Sequence, residues 1–240
     1  LLVEGPAGVG KTELARAVAQ CTGSGLVRLQ CYEGVDEARA LYEWNHAKQI
    51  LRMQSGSNDW DQAKSDIFSE EFLLSRPLLT AIRRTEPTVL LIDETDKADI
   101  EIEGLLLEVL SDFAVTVPEL GTITASRTPF VVLTSNATRE LSEALKRRCL
   151  FLHVDYPSME REKEIVLTKV PGVTDNLADQ IARIVRSIRQ LDLKKAPSVS
   201  ETIDWARALM LLGKRGLDRQ LVQDTLGLLL KHQSDKVEVE

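Results

Sequence analysis

Cysteine is scarce in this chain. The three among 240 residues, Cys21, Cys31 and Cys149, lie far apart and form no C-x-x-C pair. That excludes a disulfide framework and a cysteine-rich zinc site. The three histidines, His46, His153 and His232, are equally scattered and lack the spacing of metal ligands. No apolar run approaches the ~18 residues that a membrane helix needs. There is no initiating Met and no signal-peptide pattern, and the chain starts inside the apolar run Leu1-Leu2-Val3. It therefore reads as a trimmed piece, with the reducing cytoplasm as the expected compartment. Positive charge is in deficit: 30 Lys and Arg against 37 Asp and Glu leave a net charge of −7. This argues against a broad non-specific nucleic-acid binder and leaves room only for a local basic patch.

What is present is globular composition, 43% hydrophobic and 28% charged. Five short apolar runs stand out: Leu1–Glu4, Leu26–Gln30, Val89–Ile92, Phe130–Thr134 and Leu150–Val154. They are mostly apolar throughout rather than alternating, which suits strands buried on both faces of a parallel sheet. Helical patterns lie between them. Lys11–Cys21 places Leu14, Ala15, Val18 and Cys21 on one face. Asp36 to about Gln54 reads as one long amphipathic helix carrying Tyr42 and Trp44. Phe72–Arg84, Ile100–Asp112 and Leu141–Arg148 complete the α/β alternation. Ser55–Asp66, which contains Trp60, is polar and reads as a loop. Val115–Val117 and Thr122–Ala125 flank Pro118-Glu119-Leu120-Gly121 and read as a β-hairpin. Beyond Tyr156 the pattern is helical, about four helices starting from a cap at Ser158, with Trp205 expected in their core. Residues Ser234–Glu240 are expected to fray. The division falls near residue 156: an α/β domain over 1–156 and a helical domain over 157–240.

Four motifs carry chemistry. Gly5-Pro6-Ala7-Gly8-Val9-Gly10-Lys11-Thr12 matches G-x-x-x-x-G-K-[ST] between a strand and a helix, the context that the pattern requires. Backbone N–H groups there can curl around a triphosphate, with the helix dipole and the Lys11 charge facing the phosphates and the Thr12 hydroxyl available to Mg²⁺. Val89-Leu90-Leu91-Ile92-Asp93-Glu94 is a buried strand ending in two carboxylates, Asp93 to hold Mg²⁺ largely through water and Glu94 to polarise an attacking water. A third strand ends in Thr134-Ser135-Asn136. Asn136 either reaches a γ-phosphate or belongs to an ordinary strand-to-helix turn. Lys146-Arg147-Arg148 precede Cys149; they either complement a helix C-terminus or offer an arginine finger to a neighbouring subunit.

In this order the motifs resemble those of an AAA+ ATPase. Asp93-Glu94-Thr95-Asp96-Lys97-Ala98-Asp99, the hairpin, Cys31-Tyr32-Glu33-Gly34 and Ala40-Leu41-Tyr42-Glu43-Trp44 are similar to the MoxR group. They are similar in particular to the ATPases of carbon monoxide dehydrogenase and molybdenum hydroxylase maturation. The resemblance implies a five-stranded parallel P-loop NTPase (AAA+) core with an inserted β-hairpin, followed by a small helical lid. It implies ATP and Mg²⁺ at Gly5 to Thr12 and Asp93, Glu94 as catalytic base, Asn136 as sensor, and Arg148 as finger with Arg147 as the alternative. It also implies a ring, usually hexameric, working as a remodelling chaperone with a von Willebrand factor A domain partner and a metalloenzyme client. A nucleotide-dependent scaffold with little turnover and a DNA-dependent motor are the competing functions. Lys194–Glu201, where such lids supply a second sensor arginine, contains none, and Lys194 or Lys195 would substitute only without the bidentate fork.

Overall fold

The computed structural model describes residues 1–55 and 67–239. The expected loop Ser55–Asp66 and Trp60 fall essentially outside them. The chain divides into two compact units. One comprises Leu1–Glu4 and Lys11–His153, the other Gly5–Gly10 and Val154–Glu240.

The first unit is built on a five-stranded parallel sheet in the order β2 (Gly25–Gln30), β5 (Thr88–Asp93), β8 (Phe130–Ser135), β1 (Leu2–Glu4), β9 (Phe151–His153). All five strands were legible in the sequence, but the expected burial on both faces does not extend to the sheet's edges, where β2 alternates and β9 is exposed throughout. β5 is buried at every position, as a central strand covered on both faces must be. The register brings the strand ends into line. Gln30 pairs with Asp93, Ile92 with Leu133, Val3 with Thr134 and Glu4 with Ser135. The polar residues that end these strands therefore share one edge of the sheet, where parallel sheets bind ligands.

Helix α1 (Lys11–Thr22) buries Lys11, Ala15 and Ala19, while Cys21, expected on the buried face, is exposed. The expected long helix from Asp36 is instead three elements: α2 (Glu37–Ala40), β3 (Tyr42–Trp44) and α3 (His46–Ser55). Asn45 restarts the helix by accepting the Lys48 N–H at 3.0 Å. The expected helix Phe72–Arg84 likewise splits into a 3₁₀ turn (Glu70–Phe72), β4 (Leu73–Ser75) and α4 (Pro77–Arg83). β3 and β4 pair antiparallel, Tyr42 opposite Ser75, and Arg76 reaches Glu43 at 2.5 Å. Trp44 thus lies on a strand, half-buried, its ring edge-on to Phe68 at 5.3 Å.

Helix α5 (Ile100–Asp112) has the expected bounds and is capped by Asp99, whose carboxylate accepts the Ile102 N–H. The hairpin β6 (Ala114–Val117) and β7 (Gly121–Thr124) follows, with Val115 and Val117 in the core of this unit. The hairpin therefore covers its own unit. The last helix, α6 (Glu143–Arg147), is shorter than expected.

Among the described residues the second unit contains five helices where about four were expected: α7 (Met159–Lys169), α8 (Asp175–Arg189), α9 (Val199–Leu211), α10 (Arg219–Leu229) and α11 (Gln233–Val239). Ser158, Thr174, Ser198 and Asp218 cap the first four, each accepting the N–H three residues on. Such caps contribute about 1 kcal/mol each. Trp205 is fully buried, and its indole N–H donates to Thr225 Oγ1 at 2.8 Å. Glu162 is buried but satisfied, bound by both terminal nitrogens of Arg189 (2.6 and 2.8 Å) and by the Thr202 hydroxyl. Residues 234–239, expected to fray, are helical. Buried Asp235 accepts the N–H groups of Lys194 and Lys195 at 3.1 and 3.2 Å, anchoring α11.

Candidate functional site

Asp93 and Glu94 sit where β5 runs out of the sheet. Asp93 is almost wholly enclosed. Its Oδ1 accepts from the hydroxyls of Thr12 (3.0 Å) and Thr134 (2.5 Å), and its Oδ2 accepts from Arg28 Nη2 (2.6 Å) and Nε (3.1 Å). Thr12 comes from the start of α1, Thr134 from β8 and Arg28 from β2, so three elements converge on this carboxylate. Glu94 adopts a left-handed backbone, φ 56°, ψ 48°, at the start of the 3₁₀ turn Thr95–Lys97. That conformation is uncommon for a residue with a side chain and persists only where neighbours enforce it. Here the Glu94 N–H donates to Thr134 Oγ1 at 2.9 Å. The Glu94 carboxylate accepts from Gln30 Nε2 at 3.0 Å and from Lys97 Nζ at 2.6 Å.

Lys11 is buried. Desolvation holds its ammonium below the ordinary lysine value, opposed by the negative charges of Asp96, Asp93, Glu94 and Glu4. Cys31, next to Gln30, is pushed up to about 12 by burial, reinforced by Asp93, Asp96 and Glu94, so its thiol is inert at neutral pH.

Asn136 is half-buried just past β8. Its N–H donates to Asp96 Oδ1 at 3.2 Å, and Thr138 donates to the other Asp96 oxygen from both its N–H and its hydroxyl. Burial raises the Asp96 carboxyl, but these hydrogen bonds more than reverse that and leave it below its ordinary value of 3.8. A carboxylate depressed in the folded state stabilises the fold above its unfolded value, and that contribution is lost as pH falls through the folded one. Asp96→Ala is accordingly expected to cost about 2–3 kcal/mol at neutral pH, since it strands two N–H groups. Its unfolding free energy, followed by denaturant titration, should also fall less steeply than the wild type's below about pH 4. An unchanged neutral-pH stability would show that Asp96 does not hold the Asn136 turn.

Arg148 and Arg147 are both exposed, and among the described residues neither is bonded to Asp93 or Glu94. Arg148 Nη1 donates to the Leu107 carbonyl of α5 at 2.9 Å. Of the site residues proposed from sequence, Lys11, Thr12, Asp93 and Glu94 are brought together, Asn136 lies beside them through Asp96, and the arginines stand apart.

The glycine-rich segment Gly5–Gly10 belongs to the second unit. Gly5 is required there by close approach, since a Cβ would lie 1.9 Å from the Val154 carbonyl oxygen. Gly8 has φ +72°, and its Cβ would lie 2.6 Å from the Ser198 side chain. Ser200 Oγ donates to the Gly8 carbonyl at 3.5 Å, while the ammonium of Lys195 pairs with Glu201 at 3.1 Å. A serine hydroxyl, not a lysine, thus meets the loop at the start of α9.

Sequence reading missed Arg28 and Gln30. Both are polar residues two apart on an apolar strand, and therefore on one face; that alternation was the available signal.

Among the described residues no group of three or more His, Cys, Asp or Glu could hold a metal, and no helix is long and apolar enough to cross a membrane. Thr12 and Asp93 offer one hydroxyl and one carboxylate. Hard oxygen donors in that small number suit Mg²⁺, which keeps water and phosphate ligands, better than a metal caged by protein.

The chain is 31% identical over 142 residues to "Chaperone protein ClpB 1" of Nostoc sp., covering 58% of this chain and 14% of that protein. It is 28% identical over 248 residues to the ClpB chaperone of Corynebacterium glutamicum, covering 93% and 25%. It therefore spans a quarter or less of the length of these relatives. Among solved structures, a Thermotoga maritima RuvB mutant matches with a TM-score of 0.58 at 19% identity, over 95% of this chain and 62% of that one. The RuvB Holliday junction branch migration motor of the same organism matches with 0.52 at 19% identity, over 95% and 61%. These structural likenesses speak to the fold, that of P-loop NTPases. Residues 1–149 match the AAA domain (dynein-related subfamily). The chain belongs to that family, a family of nucleotide-binding P-loop ATPases.

Proposed function

We propose that this chain is the motor part of an ATP-hydrolysing ring ATPase of the MoxR type, a remodelling chaperone acting in metalloenzyme maturation. The observation that carries the reading is the convergence of Thr12, Asp93, Glu94 and Lys11 at the carboxyl edge of the sheet, directly after the glycine-rich motif. In this reading Gly5 to Thr12 hold the phosphates through backbone N–H groups and the Lys11 charge. Thr12 and Asp93 hold Mg²⁺, which when bound neutralises charge on the phosphate oxygens. Glu94 accepts a proton from the attacking water, and its left-handed backbone fixes where that carboxylate starts from. Asn136, tied to Asp96, reports the γ-phosphate. Arg148, or else Arg147, lends its charge to the site of a neighbouring subunit. The nucleotide-binding domain runs over 1–156 and the lid over 157–240. A von Willebrand factor A domain protein and a metalloenzyme client are the proposed partners, and the cytoplasm the proposed location. The named chaperones among the relatives support a remodelling role.

The direct test is nucleotide binding. Lys11→Ala should weaken ATP affinity by about 100-fold or more, the value of a charge-assisted contact in a desolvated site. Unaltered affinity in a calorimetric titration would contradict the reading.

One observation favours a second reading, a nucleotide-dependent scaffold with little turnover. Lys194–Glu201 has no arginine, and Ser200 takes the position against Gly8. No hydrolysis above background at saturating ATP would select it. The net charge of −7 opposes a DNA motor. DNA-stimulated turnover that weakens steeply with salt would support one.

A further inference from the structure

Asp93, the carboxylate proposed to take a divalent cation, is already engaged with a cation of the chain's own. Arg28 is bonded to Asp93 Oδ2 through both Nη2 (2.6 Å) and Nε (3.1 Å), while Thr134 and Thr12 occupy Oδ1. The Asp93 side chain is 3% exposed and that of Arg28 43%, so the carboxylate is enclosed and the guanidinium is the solvent-facing partner. This placement follows from the strand register. Arg28 pairs with Leu91 and reaches forward along β5 to Asp93, two residues on, on the same face of β2 as Gln30. Arg28 Nη2 also donates to Gln30 Oε1, which leaves the Gln30 amide nitrogen directed at Glu94 Oε2, 3.0 Å away. One guanidinium therefore neutralises Asp93 and sets which end of the Gln30 amide faces Glu94.

We propose that Arg28 is a resident cation on Asp93 that Mg²⁺ must displace. Arg28 then sets the Mg²⁺ concentration at which the nucleotide complex forms, and it positions Gln30 until that exchange occurs. The inference rests on the nucleotide-binding reading above. The physical reason is competition between like charges for one enclosed carboxylate, whether the Mg²⁺ meets it directly or through its own water. The long, half-exposed arginine stem lets the head move into water without disturbing the core.

The test is a Mg²⁺ titration of the full chain bound to a fluorescent ADP derivative, comparing the wild type with Arg28→Ala, Arg28→Gln and Arg28→Lys. Formation of Mg–ADP in solution is common to all four, so differences report the protein. Arg28→Ala and Arg28→Gln should lower the half-saturating Mg²⁺ by about tenfold, the effect of removing one positive charge a few ångströms from the site. Arg28→Lys, which keeps the charge, should stay close to the wild type. A half-saturating Mg²⁺ that rises in Arg28→Ala would make Arg28 a support for Asp93, and one that does not change would make it a bystander; either overturns the inference alone. A wild type that binds no nucleotide with or without Mg²⁺ would overturn the proposed function and this inference together. Should Arg28→Ala fail to fold, Arg28→Gln decides the matter.

Discussion

Glu94→Gln is expected to bind ATP with essentially wild-type affinity and to hydrolyse it about 10²–10⁴-fold more slowly, the range that a positioned general base supplies. The substitution keeps size and shape, and an amide at this position can still accept from Lys97 Nζ and Gln30 Nε2, the two present partners of the carboxylate. What it removes is the capacity to take a proton from water. The left-handed turn at Glu94 is held through its own N–H to Thr134, a bond that does not involve the side chain. The variant should therefore melt like the wild type, so the loss belongs to chemistry. Phosphate release beside a calorimetric ATP titration separates the two quantities, and unimpaired turnover would remove Glu94 as the base.

Arg148→Ala is the second large effect, a loss of about 10³-fold or more in turnover with nucleotide binding retained. Arg148 is exposed and bonds to the carbonyl of Leu107, not to the Asp93–Glu94 cluster of its own chain. On the proposed reading its charge acts on a neighbour. Mixing Arg148→Ala with Glu94→Gln subunits should then restore turnover, because some junctions pair an intact base with an intact arginine. Absence of rescue would argue against action in trans. Arg147→Ala in the same assay distinguishes the two candidates.

Much of the fold was legible because parallel strands buried on both faces leave uninterrupted apolar runs such as Val89–Ile92, and because a cap such as Ser158 marks a helix start. The β3–β4 pair was not legible. Tyr42-Glu43-Trp44 lies between good helix formers, and only its pairing with Leu73–Ser75, some thirty residues on, makes it a strand. Nor was α11, whose anchor is a contact between Asp235 and the Lys194–Lys195 backbone forty residues earlier. At the site the split runs the same way. Lys11, Thr12, Asp93 and Glu94 belong to contiguous motifs with strict chemical demands. Arg28 and Gln30 sit on a strand where polar residues read as a solvent face until the register places them beside Asp93. Lys194–Glu201 was legible only as a stretch without arginine, because the contact of Ser200 with Gly8 joins residues 192 apart in sequence.

The central claim is that this is an ATPase whose site is completed between subunits. Specific ATPase activity per subunit, measured across protein concentration with Glu94→Gln as control, tests it most directly. The account predicts activity per subunit that rises with concentration to a plateau in the wild type and stays at background in the mutant. Activity that is flat across concentration, with ATP still bound, would contradict it, and the site would then be a nucleotide-dependent scaffold or complete within one chain.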